Sequence, residues 1–184
     1  MGATHFSGPV HSEAGFVGTT SAVAAGAGIT AATGDALTVS INQIGNIVHT
    51  QLYVDVQGMH SATDDLDIIG VAGTDPAYLT QIQASLMGEV FQGAMTCLEA
   101  PTTGVTSIDL YSATEATGVE DAGIGTLAEV AVVTASAAWT VGKTQAFTSW
   151  PAAAKYLYLT TGAAGTVGTY ATGKFMIEIW GYKA

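Results

Sequence analysis

The feature that most constrains this chain is a period of two in its apolar residues. In the run Asn46 to Gln57, Val48, Leu52, Val54 and Val56 fall on one side while His49, Gln51, Tyr53 and Asp55 fall on the other. Near the C-terminus Phe175, Ile177 and Ile179 alternate in the same way with Met176, Glu178 and Trp180. Successive side chains of a strand point to opposite faces, so each run buries one face and wets the other. Leu37 to Ile41, Val90 to Leu98, Val105 to Tyr111, Ala128 to Thr134 and Lys155 to Thr160 also read as strands. Clusters of Gly, Pro, Asp and Thr separate them. Tyr78 to Met87 alone fits both periods: Tyr78, Ile82 and Leu86 would line a helix, and Leu79 with the Thr80, Ile82 alternation would suit a strand. Seven or eight short strands with few amphipathic helices predict an all-β protein, an antiparallel sandwich or barrel.

Residues 1–35 differ. They hold seven of the 23 glycines and few large side chains, so they bury little surface per residue and cannot build a core alone. They read as an extended N-terminal arm whose anchors are Phe6, Pro9, Val10, Phe16 and Val17, with residues 36–184 as the sandwich domain. A chain of 184 residues is long enough for one such core without disulfides.

Charge narrows the partners. Only 10% of residues are charged, against roughly 25% in an average soluble protein. There is no arginine, all four lysines lie from Lys143 onward, and fourteen of the fifteen carboxylates precede them. A net charge of -11 repels a phosphate backbone, so no nucleic-acid partner is expected. Cys97 is the only cysteine and reads as a small buried hydrophobe. Met1 to Gly8 shows no basic segment leading into an apolar one, and the Ala- and Gly-rich stretch Ser21 to Ala32 is too short to span a bilayer. The expectation is a soluble protein made in a cytoplasm, with no membrane partner.

Motifs that carry chemistry are sparse. Gly26-Ala27-Gly28-Ile29-Thr30-Ala31 matches the tolerant dinucleotide fingerprint, but no strand precedes it, no helix is predicted after it, and position 51 is Gln where an acid would be needed. It reads as a chance match. His5, His11, His49 and His60 belong to no recognised catalytic spacing, and His49 falls on the polar face of a strand. Two acidic clusters, Asp64, Asp65 and Asp67 with Asp75, and Glu115 with Glu120 and Asp121, read as solvated turns; calcium at a subunit interface is the alternative. Trp139, Trp150, Trp180 and the seven tyrosines read as core and subunit contacts, with a carbohydrate-binding face as the alternative. No cofactor is expected.

Several strings together resemble a family of small structural proteins encoded by tailed phages, notably marine and cyanobacterial ones. They are Thr4 to Val10 with Ala14-Gly15-Phe16, Met95 to Pro101, Ile108 to Ala113, Gly118 to Asp121, and Gly173 to Tyr182. The resemblance spans nearly the whole chain. It implies a jelly-roll-like β-sandwich placed among virion genes, and it brings no catalytic motif. The resulting expectation is a non-enzymatic cement or decoration subunit on the capsid surface. Its partners would be the major capsid protein and two further copies of itself, and His5, Phe6, Pro9, Val10 and Phe16 would form the capsid or subunit interface. The alternative is a receptor- or glycan-binding module of a head or tail fibre.

Overall fold

Burial follows the alternation residue by residue. Along β2 (Ile47–Asp55), Val48, Thr50, Leu52 and Val54 are buried, whereas the residues between them are half-buried or exposed. The description comes from a computed structural model covering residues 23–30, 32, 36–135, 137–163, 165 and 167–184. In β11 (Thr172–Tyr182), Phe175, Ile177 and Ile179 are fully buried, and Met176, Glu178 and Trp180 lie half-buried on the other face.

These two strands are neighbours inside a five-stranded antiparallel sheet with β11 at its centre. Its order is β1 (Leu37–Ile44), β2, β11, β5 (Glu89–Thr102), β8 (Thr144–Ala146). The β1–β2 hairpin turns through Gly45 and Asn46, with Gly45 at φ 60. Glycine at the first central position is what a two-residue loop of the type II′ kind requires. The second sheet runs β4 (Thr80–Gln81), β9 (Tyr156–Thr161), β6 (Ile108–Ala113), β7 (Val130–Val133), again antiparallel. A two-stranded ribbon pairs β3 (His60–Ser61) with β10 (Gly168–Thr169).

The two sheets pack together over a single apolar cluster. Leu52, Val54, Met95 and Ile177 come from the first sheet, and Leu110, Val132, Leu157 and Leu159 from the second. The result is an all-β sandwich of antiparallel sheets, as the strand pattern predicts.

The sheets differ on their outer sides. All six residues of β6 and five of the six in β9 are buried, so the two central strands of the second sheet are covered on both faces. Its cover is made of loops. The Tyr158 hydroxyl donates to the Glu115 carbonyl at 2.8 Å and accepts the Gly118 N–H at 3.3 Å, and Tyr78 meets the Tyr158 ring edge-on at 6.3 Å. Residues 23–30 belong to this cover. Gly26 and Gly28 donate to the Tyr78 and Pro76 carbonyls at 2.9 and 2.8 Å, and Ile29, in the short helix α1 (Ala27–Thr30), is fully buried in the core. Part of the stretch read as arm therefore packs as an integral piece of the sandwich. Residues 1–22 lie outside the described residues.

The ambiguous segment Tyr78 to Met87 uses both periods. Thr80 and Gln81 pair with β9, and Ala84–Met87 close one helical turn, α2. The short strands β3, β8 and β10 are absent from the sequence reading because two or three residues are too few to display a period.

Candidate functional site

Among the described residues no element covers the outer face of the five-stranded sheet, and its register places the side chains there in rows. One row runs Asn42, His49, Trp180, Gln92; the next runs Ser40, Gln51, Glu178, Ala94, Ala146; a third runs Thr38, Tyr53, Met176, Thr96, Thr144. Neighbours across strands interact directly, as opposed pairs on one face should. The His49 imidazole stacks on the Trp180 indole with centroids 3.8 Å apart and planes 5° from parallel. His49 Nε2 lies 3.1 Å from Glu178 Oε1, and the Thr96 and Thr144 hydroxyls are 2.9 Å apart.

Lys174, Glu99 and Asp55 on this face are paired within it. Lys174 Nζ donates to Glu99 Oε2 at 2.6 Å and stands 3.9 Å from Asp55 Oδ2. The Glu99 hydrogen bond pushes the Lys174 ammonium above its ordinary value. What remains for a partner is a broad surface of amides, hydroxyls and aromatic rings, Tyr53 being 37% exposed. Self-paired charges are also less costly to cover than isolated ones.

The acidic clusters redistribute in space. Asp67 lies near Asp121: the Asp121 N–H donates to the Ile68 carbonyl at 3.1 Å, and Asp67 bridges to Gly123. Burial pushes the Asp67 carboxyl up, the charges of Asp121, Asp64 and Asp65 add to that, and a backbone hydrogen bond at Asp64 opposes it. Asp75 sits apart, its carbonyl beside Gly28. Glu120 accepts from or pairs with His60 Nδ1 at 2.8 Å, tying β3 to the 119–123 loop. Among the described residues no group of three or more His, Cys, Asp or Glu is arranged to hold a metal ion.

Gly26 and Gly28 of the fingerprint-like string have a packing reason. A Cβ on Gly26 would stand 2.1 Å from the Pro76 carbonyl oxygen, and one on Gly28 would stand 2.6 Å from that of Asp75. Their N–H groups are spent on this segment, not directed at an open cradle. The tryptophans part company. Trp139 is a core residue whose indole N–H donates to the Ile108 carbonyl at 2.7 Å, Trp180 belongs to the open face, and Trp150 is 51% exposed. Cys97 is buried, as expected of a lone thiol, and burial raises its pKa.

The five residues expected at a capsid or subunit interface, His5, Phe6, Pro9, Val10 and Phe16, and also His11, lie outside the described residues. Sequence reasoning passed over Asp109. This carboxylate is buried in β6 and accepts the Ala135 N–H at 2.5 Å; its only signal is a charge between Ile108 and Leu110 in a fully buried strand. No helix among the described residues is long and apolar enough to cross a membrane. Comparison of the chain with models of protein families, with curated proteins and with solved structures finds no match.

Proposed function

We propose that the protein is a structural subunit of a tailed-phage virion, a cement or decoration protein that binds the outside of the head and acts without catalysis. The observation that carries this reading is the contrast between the two sheets. One has its central strands covered on both sides, while the other offers, among the described residues, a lattice of paired charges, hydroxyls, amides and aromatic rings across five strands. A broad face of this kind suits contact with another large surface better than enclosure of a small molecule.

The strand order supports the jelly-roll reading. With β1 set aside, β2-β11-β5-β8 faces β4-β9-β6-β7. Consecutive strands cross repeatedly from one sheet to the other, which is how two Greek keys wind into a jelly roll. Such a stiff unit, in three copies around a local symmetry axis, would add modest contacts over a repeating shell until they oppose the pressure of packaged DNA. The N-terminal arm would supply the reach to the neighbouring capsomer, through His5, Phe6, Pro9, Val10 and Phe16.

The deciding experiment is the copy number of the protein in purified particles, measured by quantitative mass spectrometry against the major capsid protein. Copies comparable in number to the shell subunits place it on the capsid as cement. A handful per particle moves it to a vertex or tail, and absence from particles ends the virion reading.

A further inference from the structure

At one end of the sandwich three clefts meet around α2. One of about 350 Å³ is lined by Ser85, Glu89, Tyr182 and Lys183 among others. A second, of about 320 Å³, lies between Glu89, Val90 and the segment Trp150 to Ala153. The third, of about 300 Å³, joins Gln81, Gln83 and Ser85 to Ala153 and Ala154. Each shares a residue with the other two: Glu89 links the first and second, Ser85 the first and third, Ala153 the second and third. They form one shallow trough.

Two aromatic rings stand exposed along it, Trp150 at 51% and Tyr182 at 47%. Glu89 lies between them, lining the clefts of both, and it is the strand partner of Tyr182. No described residue donates a hydrogen bond to the Glu89 carboxylate or forms an ion pair with it. Gln83 and Ser85 add an amide and a hydroxyl on the same rim.

The frame is fixed. The Tyr182 hydroxyl lies 3.5 Å from Asn46 Nδ2 in the β1–β2 turn, and the Lys183 N–H donates to the Asn46 carbonyl at 2.8 Å. A Cβ on Gly181 would stand 1.9 Å from the Met87 carbonyl oxygen, so only glycine lets α2 sit this close to the end of β11. On the far side the Ala154 N–H donates to the Ile82 carbonyl at 2.8 Å, and the Ile82 N–H donates to that of Lys155 at 2.8 Å, holding the segment after Trp150 against β4. Groups placed on strand ends and tied loops lose little freedom when a ligand arrives.

We propose that this trough binds a neutral saccharide. A sugar ring has a weakly apolar C–H face that stacks on an indole or phenol, and a rim of hydroxyls that must be met by acceptors and donors. Trp150 and Tyr182 supply the two platforms, Glu89 accepts hydroxyl protons between them, and Gln83 and Ser85 serve the next ring. A phosphorylated, sulfated or sialylated ligand would meet Glu89 and a chain of net charge -11 with no arginine, and the one lysine lining the trough, Lys183, already donates its Nζ to Gln43 Oε1 at 3.1 Å. An apolar helix or lipid tail would have to bury the unpartnered Glu89 carboxylate. The proposal does not rest on the virion reading, because a free subunit binds or fails to bind sugar whether or not it decorates a head.

The test uses the full chain, labelled away from the trough, on an array of neutral and anionic glycans, followed by calorimetric titration with chitotriose, maltotriose and any array hit. Wild type, Trp150→Ala, Glu89→Gln, Tyr182→Ala and a distant exposed control, Val167→Ser, are compared after their unfolding midpoints are shown to agree. Glu89→Gln keeps the shape of the site and so separates recognition from folding. The expected result is saturable binding to at least one neutral glycan, weakened about tenfold or more in the Trp150 and Glu89 variants and unchanged in the control. Absence of binding to every neutral glycan, binding confined to anionic ones, or binding that survives both Trp150→Ala and Glu89→Gln overturns it.

Discussion

The His49 imidazole lies flat on the Trp180 indole, 3.8 Å between centroids, while its Nε2 reaches Glu178 at 3.1 Å. His49 and Trp180 are directly opposed on β2 and β11, so the stack joins the central strand of the sheet to its neighbour. Aromatic pairs of this kind contribute beyond the area they bury, by about 0.5–1.5 kcal/mol in double-mutant cycles. A cycle of His49→Ala, Trp180→Ala and the double variant, read by urea unfolding, should return a coupling in that range. Additive single effects would mean the stack contributes shape to the face and no stability.

Ile29 ties part of the stretch read as arm into the core. It is fully buried in the core although it lies within the stretch of sequence poorest in large side chains. Truncating a buried isoleucine to alanine costs about 2–5 kcal/mol, and Ile29→Ala should fall there. A chain beginning at Ala36, which lacks Ile29, should be markedly less stable than one beginning at Val23. On the proposed virion reading, removing residues 1–20 should abolish attachment to phage heads while leaving the sandwich folded. Normal decoration by the shortened chain would remove the arm from the proposal.

The difference between what was legible and what was not follows from length and from period. Long half-buried strands announce themselves: β2 and β11 alternate over nine and eleven residues, and every side they were assigned from the sequence is the side they take. β6 is buried on both faces and so carries no alternation; its central position comes from pairing with β7 and β9, which no local pattern encodes. Ile29 lay hidden because its burial depends on Gly26 and Gly28 approaching Pro76 and Asp75, residues far along the chain. The trough was equally hidden. Trp150, Glu89 and Tyr182 come from three separate segments, and only the register of β5 with β11 brings Glu89 beside Tyr182.

Thr50 supplies a prediction of opposite sign. It sits on the buried face of β2 between Val48 and Leu52, and its hydroxyl has no hydrogen-bond partner among the described residues. A buried hydroxyl without a partner forfeits its hydration and gets nothing back. Thr50→Val keeps the branched shape and removes the hydroxyl, so it should raise stability by about 1 kcal/mol. A loss of similar size in chemical unfolding would show that the hydroxyl has a partner after all.

Asp109 separates an electrostatic cost from a hydrogen-bond gain at one position. It is 4% exposed, and its carboxylate accepts the Ala135 N–H at 2.5 Å. Burial raises its pKa above the ordinary 3.8, with the backbone bond from Ala135 opposing and the charge of Asp65 reinforcing the rise. In the window between the ordinary value and the raised one, the folded chain therefore holds a proton that the unfolded chain has released. Linkage makes stability fall as pH rises through that window, and the loss is complete above the raised pKa. Asp109→Asn keeps an acceptor for Ala135 and cannot ionise. Its stability relative to wild type should climb as pH rises from the ordinary carboxylate range to neutrality, and taking that difference cancels the similar contribution of Asp67. Asp109→Ala instead leaves the buried Ala135 N–H without its acceptor and should cost about 1–3 kcal/mol at neutral pH. Urea unfolding of the three proteins across this pH range decides the matter. If the asparagine variant and wild type keep a constant difference at every pH, ionised Asp109 carries no burial cost, and the hydrogen bond alone accounts for its place in β6.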